Sequence, residues 1–231
     1  MIKAVFFDLY NTLLRYDPPR EEIEAQTLRQ FNINKTTDDF RYPFLKADEY
    51  FFEENARLRI SDRAEEEKRS VFARHQQIVL AEAGIEPGRQ LVEAMLRRWA
   101  QTKFSQVLFE DVLPSLEEFK ESYTLGLISN IDSDIRPTLA NLGLLPLLDI
   151  VVTSQETGYT KPHPAIFNEA VRQAGVAASE ALYLGDQYQI DVVGAADAGM
   201  QAMLLDRYGL FNGKGEYPRI QNLEQLKEHL R

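Results

Sequence analysis

Ala4-Val5-Phe6-Phe7-Asp8-Leu9-Tyr10-Asn11-Thr12 is an apolar run that ends on a carboxylate and then turns polar. A strand with one solvated face alternates apolar and polar residues. This run does not alternate, which is the pattern of a strand buried on both faces of a parallel sheet. Val5–Phe7 reads as that first strand. No second strand comes directly after it. Past Arg15-Tyr16-Asp17-Pro18-Pro19 the chain stays charged and helical to Lys103, with almost no strand signal. Pro19 suits a first helical turn, and Glu22, Glu24 and Arg29 interleave with Ile23, Leu28 and Phe31 at helical spacing. Thr36 or Thr37 is placed to cap a second helix, rich in aromatics from Phe40 to Phe52. Ser61 or Asp62 starts a third, running to Gly84, and Pro87 a fourth carrying Leu91, Met95, Leu96 and Trp99.

Beyond Lys103 the texture changes. Short apolar runs at Tyr123–Ile128, Ile150–Val152, Ala181–Leu184 and Ala202–Leu205 alternate with helical segments at Ser115–Glu121, Ser133–Leu142, Pro164–Ala174 and Ile190–Ala198. Strands apolar on both faces and joined by helices form a parallel sheet covered on both sides. The expected fold is therefore α/β: a Rossmann-like core of residues 1–14 and 106–231, interrupted after its first strand by a four-helix insert of residues 15–105.

A length of 231 residues, long for one domain and short for two, fits an interrupted core. Acids outnumber bases 36 to 26, a net charge of −10. That excludes attraction to nucleic acid or anionic lipid through the overall field. The charge is uneven: the insert holds 17 acids and 16 bases, and the expected core 19 and 10. The absence of cysteine removes disulfides, zinc–thiolate sites and thiol nucleophiles together. Met1-Ile2-Lys3 leads into an apolar run too short for a secretory leader, and no stretch approaches the ~18 apolar residues of a membrane span. The expectation is a cytoplasmic protein with no membrane partner, monomeric or homodimeric.

Ligands of open parallel sheets bind beyond the carboxyl ends of the strands. Asp8-Leu9-Tyr10-Asn11-Thr12 comes after the first strand, and Ser129-Asn130 after the second. Thr153 to Thr160 and then Lys161-Pro162 come after the third, and Gly185-Asp186, with Asp191 five residues on, after the fourth. Any one of these aspartates is an ordinary turn residue. Together they gather carboxylates, a hydroxyl and an ammonium at one end of one sheet.

In this order the residues resemble the four motifs of the haloacid dehalogenase superfamily. Asp8-Leu9-Tyr10-Asn11-Thr12 resembles the first, Asp-x-Asp-x-Thr. Ser129 resembles the second, Lys161 the third, and Gly185-Asp186-x4-Asp191 the fourth. Gly194-Ala195-Ala196-Asp197-Ala198-Gly199-Met200 extends the likeness, and the family's helical cap accounts for the insert. The resemblance implies an aspartyl nucleophile, Asp8, with Lys161 neutralising charge and Ser129 and Thr12 donating hydrogen bonds to the transferring group. It implies Mg²⁺ held by Asp8, the main-chain carbonyl of Tyr10, Asp186 and, directly or through water, Asp191. The substrate would be a small phosphorylated molecule, with Asn130, Tyr10 and the cap residue Arg41 as contacts.

Tyr10 departs from the phosphatase pattern. It stands where family phosphatases carry the Asp that protonates the leaving group, and a phenol of pKa ~10 is a poor substitute. Haloacid dehalogenases of the family carry Tyr there, because halide leaves without a proton. The fourth motif points the other way, since Asp186 is the metal-binding form and the dehalogenases need no metal. The leading expectation is a Mg²⁺-dependent phosphatase. The alternatives are a metal-independent 2-haloacid dehalogenase and a metal-binding protein with little turnover. His163 reads as a turn residue, Asn34-Lys35-Thr36 as an incidental sequon, and Gly209 to Gly215 as a surface loop.

Overall fold

The computed structural model describes residues 1–211 and 215–230. Part of the Gly209–Gly215 loop thus lies outside the described residues. The chain forms two compact units, Met1–Arg15 with Val107–Arg231, and Tyr16–Gln106.

In chain order, β1 (Ala4–Phe7) is followed by β2 (Leu14–Asp17) and four helices, α1 (Arg20–Arg29), α2 (Arg41–Arg57), α3 (Glu65–Glu82) and α4 (Arg89–Gln101). Then come β3 (Ser105–Leu108), α5 (Val112–Lys120), β4 (Thr124–Ser129), α6 (Arg136–Asn141), β5 (Ile150–Thr153), α7 (Ser154–Thr157) and α8 (Pro164–Ala174). The chain closes with β6 (Ala181–Gly185), a π-helix (Tyr188–Val193), α9 (Gly194–Asp197), β7 (Gln201–Leu205) and β8 (Arg219–Ile220).

The first unit is a six-stranded sheet in the order β5-β4-β1-β6-β7-β8, parallel throughout. Its register aligns Phe7 with Leu127 and Leu184, so Asp8, Ser129 and Gly185 emerge at the same edge. Alternate side chains serve opposite faces. Val5, Phe7, Leu125, Leu127, Leu182 and Leu184 belong to one hydrophobic cluster, and Ala4, Phe6, Ile128, Val152 and Tyr183 to another. Both clusters are closed over by helices, which is why the strands carry apolar residues at every position. Each fully buried Leu or Phe contributes about 1.5–3 kcal/mol of hydrophobic stabilisation.

The second unit packs α1–α4 around Leu28, Phe40, Phe44, Leu80 and Met95, all essentially inaccessible to solvent. Three helix starts differ from the sequence expectation. Thr36 spends its amide and hydroxyl on Asp39, so a 3₁₀ turn at Asp38–Phe40 precedes α2. A second 3₁₀ turn occupies Ile60–Asp62, and α3 begins only at Glu65, where Glu67 accepts the Ala64 amide. The fourth helix waits until Arg89, after Gly88. Two side chains reverse their expected places: Phe31 is exposed, and Glu24, read as part of a charged face, is fully buried. Nothing in the residue pattern marks the two-stranded β2–β3 ribbon, whose four-residue strands sit where the chain passes from one unit to the other and back.

Candidate active site

At the carboxyl edge of the six-stranded sheet, β1 delivers Asp8 and β4 delivers Ser129. The loop after β5 supplies Lys161, and the segment after β6 supplies Asp186 and Asp191. Lys161 is the centre. Its ammonium, almost fully buried, donates to Asp8 Oδ1 at 2.6 Å, Asp191 Oδ1 at 2.6 Å and the Tyr183 hydroxyl at 2.9 Å. Those three acceptors match the three N–H bonds of a lysine. Ser129 Oγ donates to Asp8 Oδ1 at 3.2 Å.

Asn130 takes a different place from the expected substrate contact. Its Oδ1 accepts the Lys161 amide at 2.7 Å and its Nδ2 donates to the Lys161 carbonyl at 3.1 Å. Both ends of the carboxamide thus clamp the lysine's backbone. Arg41 lies in the helical unit, where it pairs with Asp38 at 2.9 Å. His163 is the N-cap of α8, its Nδ1 accepting the Ala165 amide at 3.2 Å, as its turn reading required. Tyr10 is half-buried against the core.

Asp191 sits on the π-helical turn. Its Oδ2 accepts the Gln187 amide at 3.0 Å. The carboxylate lies directly over Gly185, where a Cβ would stand 2.3 Å from Oδ2, so only glycine fits at the end of β6. Asp186 accepts from Asn11 Nδ2 at 3.4 Å and Gln187 Nε2 at 3.2 Å. One carboxylate oxygen from each of Asp8, Asp186 and Asp191 lies within 4.8 Å of the other two, a spacing that can hold a metal ion.

Burial pushes the Asp8 carboxyl up to about 6, with the Lys161 ammonium pulling against it and Asp191 adding to the rise. Burial also works against the Lys161 charge, but Asp191 and Asp8 more than offset it, and the ammonium holds its proton more tightly than an exposed lysine. Burial and then Asp191 raise Tyr183 well above the usual phenol range, so its hydroxyl stays neutral. Thr12 Oγ1 is buried and, among the described residues, has no hydrogen-bond partner. A buried donor left in that state costs about 1–3 kcal/mol.

Sequence reading passed over Tyr183 and Gln187. The signal for Tyr183 was present. It is a hydroxyl in an otherwise aliphatic strand, two residues before Gly185, and a buried hydroxyl needs a partner.

The carboxyl edge of this parallel α/β sheet thus gathers a lysine shared between two aspartates, with a third aspartate beside them. A family model for haloacid dehalogenase-like hydrolases matches residues 2–199, and the chain belongs to that family. A glyceraldehyde 3-phosphate phosphatase of Methanopyrus kandleri is 32% identical over 211 residues, 90% of this chain and 85% of the relative. A ribulose-1,5-bisphosphate 5-phosphatase of Halopiger xanaduensis is 27% identical, over 89% of this chain and 85% of its own. Among solved structures, a 2-haloacid dehalogenase of Pseudomonas syringae superposes with a TM-score of 0.57 at 30% identity, covering 100% of this chain and 98% of that one.

Proposed function

We propose that the protein is a Mg²⁺-dependent phosphatase that hydrolyses small phosphate esters through Asp8. The carrying observation is electrostatic: Asp8, Asp186 and Asp191 each bring an oxygen within 4.8 Å of the other two, and the Lys161 ammonium pairs with only Asp8 and Asp191. That surplus of negative charge repels a phosphate unless a cation offsets it, and an all-oxygen donor set suits Mg²⁺. Asp8, Asp186 and the Tyr10 carbonyl would hold the ion, with Asp191 as a direct or water-mediated ligand. When bound, the ion neutralises charge on the site and on the phosphoryl oxygens.

The chain's own residues do the rest. Lys161 and Ser129 fix the Asp8 carboxylate by its Oδ1. A carboxylate oxygen bonds to phosphorus as the ester P–O bond breaks, and the leaving oxygen departs with the electron pair and takes a proton from water. Water then attacks the aspartyl phosphate, releases inorganic phosphate and restores the carboxylate. Thr12, the buried hydroxyl without a partner, donates to a phosphoryl oxygen, and Ser129 turns its single proton from Asp8 Oδ1 to a phosphoryl oxygen once the phosphate is bound, leaving Lys161 to hold the carboxylate. Asn130 serves by holding Lys161, and Arg41 is not needed by these steps. The helical unit, in the role of an inserted cap, selects the substrate. Two relatives named as phosphatases of small phosphorylated compounds support the substrate class.

Tyr10 favours a second reading, halide displacement from a 2-haloacid, to which the 30% identical dehalogenase structure adds weight. The two separate on the bench. Hydrolysis of p-nitrophenyl phosphate with Mg²⁺, abolished by EDTA and by Asp8→Asn, is the expected result. Halide release from L-2-chloropropionate in EDTA, with no phosphate released under any divalent ion, would install the dehalogenase instead. Failure of both reactions, with Mg²⁺ still raising the melting temperature, would leave a metal-binding protein.

A further inference from the structure

Arg207, two residues beyond β7, is a buried cation outside the four motifs. Its side chain is 8% exposed. Nε and Nη2 both donate to the main-chain carbonyl of Thr12, at 3.1 and 2.7 Å. Nη1 reaches both oxygens of Asp111 at 3.1 Å. The guanidinium carbon lies over the Phe109 ring, 3.9 Å from its centroid. Phe109 in turn donates its amide to the Leu13 carbonyl at 3.1 Å. One side chain thereby ties the turn after Asp8 to the segment where the chain re-enters the core unit.

Asp111 shows what the arrangement displaces. It stands at the N-cap of α5, where an Asp side chain ordinarily accepts an amide of its own helix. Here it makes no such bond. It accepts instead from Arg207 and, through Oδ2, from the Leu223 amide at 2.7 Å. The cap is given up to hold the arginine.

The turn itself is tight. The amides of Leu13 and Leu14 both reach the Leu9 carbonyl, and Asn11 adopts φ 60°. Thr12 sits in its middle with the buried, unpartnered hydroxyl. Two donors on the Thr12 carbonyl hold that peptide, and with it the Cα from which the side chain springs, while the β-branched side chain has few χ1 choices of its own.

We propose that Arg207 is a positioning residue: it locks the Thr12 peptide so that the Thr12 hydroxyl is aimed at the group being transferred from substrate to Asp8. This rests on the phosphatase reading for its kinetic consequence, and on the turn alone for its structural one. A 1 Å misplacement of a catalytic donor can cost on the order of 10²-fold. Arg207→Met is expected to lower kcat for p-nitrophenyl phosphate ~10–100-fold with KM nearly unchanged, since the donor acts on the transferring group. Arg207→Lys, which keeps the charge but replaces the planar fork with a single donor nitrogen, is expected to fall between Arg207→Met and the wild type.

The decisive experiment is a double-mutant cycle with Thr12→Val. If Arg207 works through Thr12, Arg207→Met causes little further loss of kcat in the Thr12→Val background. A full additional loss there overturns the proposal, as does an unchanged kcat in Arg207→Met alone. If Arg207→Met does not fold, the cycle is run with Arg207→Lys and read the same way. Hydrogen exchange keeps the test independent of the activity: Arg207→Met speeds exchange of the Leu13 and Leu14 amides relative to β1. Unchanged protection sinks the lock even if the wild type hydrolyses no phosphate ester.

Discussion

Lys161 has three N–H bonds and three buried acceptors, and that balance makes the Tyr183 hydroxyl more than packing. The hydroxyl accepts from Lys161 at 2.9 Å and lies 3.1 Å from both the Ile128 carbonyl and Asp191 Oδ1, one of which takes its proton. Tyr183→Phe keeps the ring against Phe167 but leaves a buried N–H of an ammonium unmatched, at a cost of about 1–3 kcal/mol. The expected outcome is a lower melting temperature and a kcat down roughly tenfold, with the lysine no longer held in one pose. An unchanged kcat would show that Asp8 and Asp191 suffice. Tyr10 carries a prediction of the opposite sign. An Asp there supplies the missing acid and base, worth ~10²–10⁴-fold for alkyl phosphates. Tyr10→Asp should therefore raise turnover of an alkyl phosphate more than that of an aryl phosphate, whose leaving group needs less help. A uniform change for both esters, or a fall, would show that the leaving group gets its proton elsewhere.

At the scale of elements, the two-residue edge strand β8 was not read from the sequence, but the other five strands of its sheet were legible because both-face burial writes itself as unbroken apolar runs: Tyr123–Ile128 and Ala181–Leu184 lie within a residue of the strands that form. The short β2–β3 ribbon was not, since Leu14-Arg15-Tyr16-Asp17 has neither length nor alternation. The helix after β6 was seen, but not its winding. Six residues, Tyr188–Val193, form a π-helix that brings Asp191 back under the Gln187 amide, and periodicity cannot distinguish one wide turn from an α-turn. Gly194, the next residue, tests what that element does. In an open helix Gly→Ala stabilises by roughly 1 kcal/mol. Here a Cβ would lie 2.8 Å from Pro162 Cβ and 3.0 Å from its Cα, in the peptide next to Lys161. Overpacking against backbone costs about 1–3 kcal/mol, so the clash outweighs the propensity gain. Gly194→Ala should melt lower and turn over more slowly, through the shifted Lys161. A higher melting temperature would mean that the Lys161-Pro162 loop yields at little cost.

Across the whole molecule, the net charge of −10 can be read from composition, but which acids are buried cannot. Glu22 and Glu24 look alike in a charged helix, yet Glu24 is fully buried, accepting from Trp99 Nε1 at 2.8 Å and Gln76 Nε2 at 3.1 Å. Beside it Arg20 is held bidentately by Asp48, at 3.0 and 2.7 Å, and His75 meets the same carboxylate at 3.0 Å. Burial pushes Glu24 up from 4.5 to about 7, although Trp99, Gln76 and Arg20 pull it down. Proton counting fixes the sign of the consequence. Below 4.5 the group is protonated folded and unfolded, and costs nothing. Between 4.5 and 7 the unfolded chain has lost the proton that the folded chain keeps, so stability falls as pH rises, by about 3 kcal/mol in full. Above 7 both states are ionised and the loss stays constant. Glu24→Gln removes that slope, and the difference between the two proteins isolates it from every other titrating group. Trp99, the chain's single tryptophan, is bonded to Glu24 itself, so its fluorescence reports the titration in the folded state and the unfolding of the helical unit in denaturant. Denaturant midpoints at pH 5, 6, 7 and 8 should decline for the wild type relative to Glu24→Gln up to pH 7 and run parallel beyond it. Parallel lines from pH 5 upward would mean that Glu24 is ionised when folded, with Trp99 and Gln76 stabilising its charge enough to cancel the cost of burial.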